Sequence, residues 1–148
     1  MKRVRDEMGL TNVKLMIPFC RTVEEGRLVV AEMRKYGLVQ GQNGLEIYVM
    51  CEIPSNVIMA DEFSEVFDGF SIGSNDLLQF IFAADRTNPA VAKRYDTLSP
   101  AVLNLMRRFS EAGHETGRLS QISACGENAR RPRMAMRRRS QKAGALRS

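Results

Sequence analysis

Short apolar runs alternate along this chain with stretches whose apolar residues recur at helical spacing. Residues 13–19 (VKLMIPF) form an apolar run closed by Pro18, the mark of a buried strand that has to stop. Thr22 with Glu25 three residues on is a capping-box pattern, in which the threonine oxygen takes a free amide and the glutamate reaches back to the cap's own amide. The helix so opened carries Val23, Val30 and Met33 at helical spacing and should end near Tyr36, just before Gly37. After the turn-prone GQNG at 41–44, residues 45–53 (LEIYVMCEI) are β-rich and almost continuously apolar, as in a parallel strand covered on both faces. A short helical stretch over 55–66 leads into 67–76 (FDGFSIGSND), read as a third strand running into a polar turn. Ser99 and Pro100 then make a helix start, with the proline where its missing donor costs nothing. Val102, Leu105, Met106 and Phe109 form the buried stripe of that helix, Gly113 should end it, and a fourth strand is expected around 121–125.

Strands alternating with helices of these lengths imply βαβ units, hence an α/β fold with a parallel sheet and helices outside it. About four such units would make half of a (β/α)8 TIM barrel. No internal sequence repeat accompanies the structural one.

Composition narrows the class without changing the fold. Apolar residues make up 44% of the 148 and charged residues 26%, near the average for globular proteins, which argues against a fibrous or wholly disordered chain. No apolar run approaches the roughly 18 residues that cross a bilayer, and the N-terminus lacks a signal peptide's apolar stretch, so a cytoplasmic protein is expected. Cys20, Cys51 and Cys125 have no paired spacing, which points to free thiols rather than a zinc site or a disulfide framework. The net charge of +5 is unevenly placed: residues 1–127 hold 14 basic and all 17 acidic groups, a net of −3, and the last 21 residues hold 8 basic groups and no acid. The division expected is a partial barrel domain over 1–127 and an irregular basic tail over 128–148.

In a parallel α/β sheet, ligands gather at the carboxyl ends of the strands. The second strand ends in Glu52, the third in Asn75 and Asp76, and the fourth in Cys125, Gly126 and Glu127. Neighbouring strands lie about 4.8 Å apart, so Glu52 and Asp76 could bring two carboxylates to one cation, the number magnesium usually takes from protein. Mg2+ held there could bind the carboxylate and carbonyl oxygens of a keto acid and stabilise an enolate. Asn75 could donate to the same substrate, Gly73 and Ser74 would let the backbone come close, and a tuned Cys125 could give a proton to a carbanion carbon. Each has a plainer alternative: a strand ending in solvent, ordinary turn chemistry, an inert buried cysteine. His114, near a helix end, is given no catalytic part.

The strings LMIPFCRTVEE (15–25), MCEIPSN (50–56), DGFSIGSNDLLQF (68–80) and CGE (125–127) together resemble the barrel domain of phosphoenolpyruvate-utilising enzymes, over roughly residues 2–127. The CEIPSN wording and the Arg-Thr-Val after MIPF are most similar to the synthase branch, with the dikinase and the phosphotransferase-system enzyme as relatives. The resemblance implies the C-terminal half of the barrel, with Glu52 and Asp76 as Mg2+ ligands, Gly73, Ser74 and Asn75 at the substrate, and Cys125 as the acid exchanging a proton with the methyl carbon of pyruvate. The reaction it implies is phosphoryl transfer from a phosphohistidine to the enolate oxygen of pyruvate, giving phosphoenolpyruvate. The family's phosphohistidine string, its ATP-binding region and the first half of its barrel do not occur in these 148 residues. A fragment inactive by itself is therefore expected, with a homodimer or companion chain as the means of completing the barrel. Residues 117–124 (GRLSQISA) also depart from the family's shorter Gly-Arg-Pro-Val-Ser, which bears on the register of Cys125.

Two other readings stay open: a non-enzymatic remnant, or a basic protein whose tail touches nucleic acid. Nucleic acid is disfavoured as a partner, because the net positive charge comes from the tail alone. That tail is either a disordered basic arm or the product of a shifted reading frame. An unbroken frame in the genomic DNA with no family-like peptide in the alternative frames counts against the shift, and polyanion binding insensitive to salt counts against the arm.

Overall fold

Pro18 directly follows the first strand and Gly37 directly follows the cap of the first long helix, at the edges of the first apolar run and the first helical stripe. A computed structural model of the chain describes residues 1–85, 87–92, 94–95, 99–115 and 119–123. In order, these form α1 (Lys2–Asp6), β1 (Leu15–Ile17), α2 (Val23–Lys35), β2 (Ile47–Cys51), α3 (Pro54–Ile58), α4 (Ala60–Val66), β3 (Gly69–Gly73), α5 (Ser74–Phe82), α6 (Pro89–Ala92), α7 (Pro100–Glu115) and β4 (Leu119–Ser123). The strands pair in sequence order and all in parallel, β1-β2-β3-β4. This is the half of a (β/α)8 barrel that the alternation implied.

Alternation along the strands sends Leu15, Ile47, Val49, Cys51, Phe70 and Ile72 towards the helices, where Phe63, Phe67, Leu77, Val102, Met106 and Phe109 complete one core. The Phe70 and Phe109 rings meet edge to face with centroids 4.6 Å apart, which pins α7 onto β3. The opposite sheet face carries Met16, Tyr48, Met50, Gly69 and Ser71, with Met16 44% exposed. At the start of the strands Lys14 pairs with Glu46, donates to the Tyr48 hydroxyl at 3.1 Å and sits 5.1 Å from the centre of that ring. Arg5 is buried and donates to the carbonyls of Thr11, Val13 and Asn43, which ties the N-terminal segment to the turn before β2.

Several boundaries differ from the sequence reading, each for a physical reason. β1 spans three residues rather than 13–19, because Pro18 cannot donate to a ladder and Phe19 adopts φ +49°. Thr22 caps α2 as expected, accepting from the Glu25 N–H at 3.1 Å, but Glu25 accepts from the Arg21 N–H at 2.7 Å instead of from the cap's own amide. The Arg21 guanidinium, 3.1 Å from the same carboxylate, draws it one residue further back. The helical stretch over 55–66 is two helices: Met59 leaves the helical region at φ −107°, ψ 32°, so that α3 buries Asn56 while α4 separately buries Ala60 and Phe63. Residues 74–76 open α5 and are not a turn. α7 runs through Gly113 to Glu115, since the packing of Val102, Met106 and Phe109 sets its course. β4 lies at Leu119–Ser123, two residues earlier than expected, where it pairs with Gly69–Gly73.

Candidate functional site

Three chain segments converge at the carboxyl ends of β1, β2 and β3. Glu52 directly follows β2 and is 2% exposed, yet it is not a carboxylate stranded in the core. Its Oε1 accepts from the Phe19 N–H at 2.7 Å. Behind it, the N–H groups of Glu52 and Ile53 each donate to Oδ1 of Asn56 at 3.3 Å, and Nδ2 of Asn56 donates to the Cys20 carbonyl at 2.7 Å. Asn56, fully buried in α3, thus stitches the loop after β1 to the loop after β2 and fixes where Glu52 stands.

The register sets the third segment. Cys51 pairs with Ile72, so the next step along the two strands brings Gly73 beside Glu52. A Cβ at Gly73 would lie 2.8 Å from Cβ and 2.9 Å from Oε2 of Glu52, so only a residue without a side chain leaves the carboxylate room. φ at Gly73 is −86°, which any residue can adopt, and space rather than backbone freedom is the requirement. α5 starts at the next residue. Ser74 is buried, and Asn75 and Asp76 are half-buried in the first helical turn, where an acidic side chain is favoured by the helix dipole.

Burial, followed by the negative charge of Asp76, raises the Glu52 carboxyl above the ordinary carboxylate range, against the opposing Phe19 N–H. Asp76 therefore acts on Glu52 electrostatically from the adjacent strand end. Among the described residues no group of three or more His, Cys, Asp and Glu that could hold a metal ion gathers, and Glu52 with Asp76 is a pair of carboxylates only. The pair is chemically of the kind a hard divalent cation takes from protein: two carboxylates borne on neighbouring strand ends, close enough for the charge of Asp76 to act on Glu52. The start of α5 adds N–H groups that no intrahelical carbonyl can satisfy, a setting suited to substrate oxygens.

The structure brings Glu52, Gly73, Ser74, Asn75 and Asp76 together at two neighbouring strand ends. Cys125, with Gly126, Glu127 and residues 128–148, lies outside the described residues. Cys20 and Cys51 are free and buried; burial pushes the Cys20 thiol up to about 11 and that of Cys51 upwards as well, so both behave as small apolar residues. Two contributors escape a sequence reading, Phe19 and Asn56. A proline opening a helix with asparagine two residues later is a signal that could have found Asn56; nothing in the sequence marks Phe19. No helix among the described residues is long and apolar enough to cross a membrane.

Residues 1–137 match the family described as PEP-utilising enzyme, PEP-binding domain, PEP being phosphoenolpyruvate. The chain is 61% identical over 127 residues to phosphoenolpyruvate synthase of Synechocystis sp., a match covering 86% of this chain and 15% of that protein. It is 51% identical over 125 residues to the phosphoenolpyruvate synthase of Aquifex aeolicus, covering 84% of this chain and 14% of that one. The chain thus spans about one-seventh of the curated relatives it matches. Among solved structures, an HpcH/HpaI aldolase from Desulfitobacterium hafniense superimposes with a TM-score of 0.59 at 16% identity, over 78% of this chain and 50% of that one, a likeness of fold alone.

Proposed function

The chain belongs to the PEP-utilising enzyme family through its PEP-binding domain, and from that premise we propose that it is the C-terminal barrel portion of a Mg2+-dependent phosphotransferase of the phosphoenolpyruvate synthase kind. The observation that carries the reading is the meeting of a buried Glu52 and a helix-borne Asp76 beside Gly73. Glu52 and Asp76 would hold the cation. Once bound, Mg2+ would supply positive charge to the carboxylate and enolate oxygens of pyruvate. Ser74 and Asn75, at the start of α5, bind and orient the substrate oxygens. Cys125 holds the proton that the methyl carbon gives up as the enolate forms. The enolate oxygen then takes the phosphoryl group: the new O–P bond replaces the P–N bond of a phosphohistidine carried elsewhere in a longer chain or on a partner. A companion segment or second copy completes the barrel around this half. The setting is the cytoplasm, where buried free thiols such as Cys20 and Cys51 stay reduced.

The test is calorimetric titration with oxalate, a planar mimic of the enolate, with and without Mg2+. Binding that needs Mg2+ and disappears in Glu52→Gln and in Asp76→Asn supports the reading. A chain that is folded by circular dichroism and binds no oxalate is a remnant of the enzyme family and overturns it.

A further inference from the structure

Phe19 combines three features that an ordinary loop residue lacks. Its φ is +49°, a left-handed conformation that a bulky side chain rarely adopts and that concentrates at functional sites. In this conformation its backbone N–H donates to Oε1 of Glu52 at 2.7 Å. Its ring meets Phe80 edge to face, with centroids 6.3 Å apart and planes at 82°. Phe80 lies one helical turn beyond Asp76 on α5, so the two side chains share a helix face. A single residue therefore reaches both halves of the carboxylate pair, Glu52 through its main chain and the Asp76 face of α5 through its ring. Phe19 and Phe80 are 41% and 45% exposed, which places their contact at the rim of the site and not in the core.

Resting on the reading of Glu52 and Asp76 as one cation site, we propose that Phe19 is a positioning residue for it: the amide fixes the Glu52 carboxylate while the ring braces α5 at the turn that carries Asp76. The two ligands come from different strand ends: the strand ladder reaches to Gly73, and buried Leu77 and Leu78 seat α5 on the core. Phe19 adds a direct tie between Glu52 and α5 at the rim. A carboxylate and a helix held from one residue move together or not at all, so loss of the ring loosens the ligand spacing without opening the core.

The test uses the full chain with Mg2+ and oxalate. Phe19→Ala keeps the amide and removes the ring, and its oxalate affinity falls about tenfold or more, the scale on which residues behind metal ligands act. Phe19→Tyr, which keeps ring and amide, recovers the affinity that Phe19→Ala loses. Phe80→Ala weakens binding too, and the double variant is no weaker than Phe19→Ala alone, because both changes cut the same contact. Wild-type affinity in Phe19→Ala, or losses that multiply in the double variant, overturns the proposal. A second readout needs no metal: exchange of the Phe19 amide hydrogen followed by NMR. That amide is protected in the wild-type chain and exchanges several-fold faster in Glu52→Ala and in Phe80→Ala; exchange unchanged in both overturns the role of Phe19. If the wild-type chain binds no oxalate, the reading of the carboxylate pair fails and the cation role of Phe19 falls with it, whereas unchanged exchange in a chain that does bind oxalate overturns Phe19 alone.

Discussion

A methyl group added at Gly73 would fall 2.8 Å from Cβ of Glu52 and 3.2 Å from the Met50 methyl, closer than side chains pack. Gly73→Ala must therefore displace Glu52, at a cost of about 1–3 kcal/mol for an overpacked site. Thermal melting should show that loss and calorimetry should show oxalate binding abolished; a variant that binds as wild type would mean Glu52 does not hold the ligand. Glu52 itself carries a pH signature. Burial and the Asp76 charge raise its carboxyl in the folded chain, so the folded state holds that proton more tightly than the unfolded state does. The resulting stability is full below the ordinary carboxylate range and is lost as pH rises through the raised folded value. Glu52→Gln stays neutral at every pH and keeps an oxygen for the Phe19 N–H. Without metal it should melt above wild type near about pH 7, with the gap closing towards about pH 4, where Glu52 is protonated. A gap independent of pH would show that ionisation of Glu52 carries no cost.

At the level of elements, α5 shows how a site is assembled and where sequence reading stops. Ser74, Asn75 and Asp76 suit a polar turn as well as they suit the opening of a helix, and only Leu77 and Leu78, buried one turn on, decide for the helix. That choice moves Asp76 from a loop tip to the first turn of a packed helix beside Glu52. α7 depends on the core in the same way. Its stripe of Val102, Met106 and Phe109 was legible from spacing, and Phe109 packs edge to face on Phe70 of the strand that ends at the site. Phe109→Ala should cost about 3–5 kcal/mol in chemical denaturation and loosen β3; a loss under about 1 kcal/mol would mean that α7 does not support the sheet. The parallel α/β alternation, the helix stripes and the place of Glu52 just after a strand were readable because each follows from local periodicity or from a strand's end. Phe19 and Asn56 were not, because their roles depend on a left-handed φ and on a hydrogen bond from α3 to a loop residue 36 positions earlier.

Over the whole molecule, four parallel strands leave β1 and β4 as edges among the described residues, and one sheet face keeps Met16 open to solvent. Unpaired edges of this kind take up further strands, in keeping with a chain that spans 15% of its Synechocystis relative. The proposed cation pair does not need them, because both carboxylates and Gly73 belong to this half. The most direct measurement is an EPR titration of the full chain with Mn2+, a visible substitute for Mg2+. One site per folded chain, lost in Glu52→Gln and again in Asp76→Asn, is the predicted result. Mn2+ binding that survives both substitutions, or a folded chain with no site at all, would contradict the account.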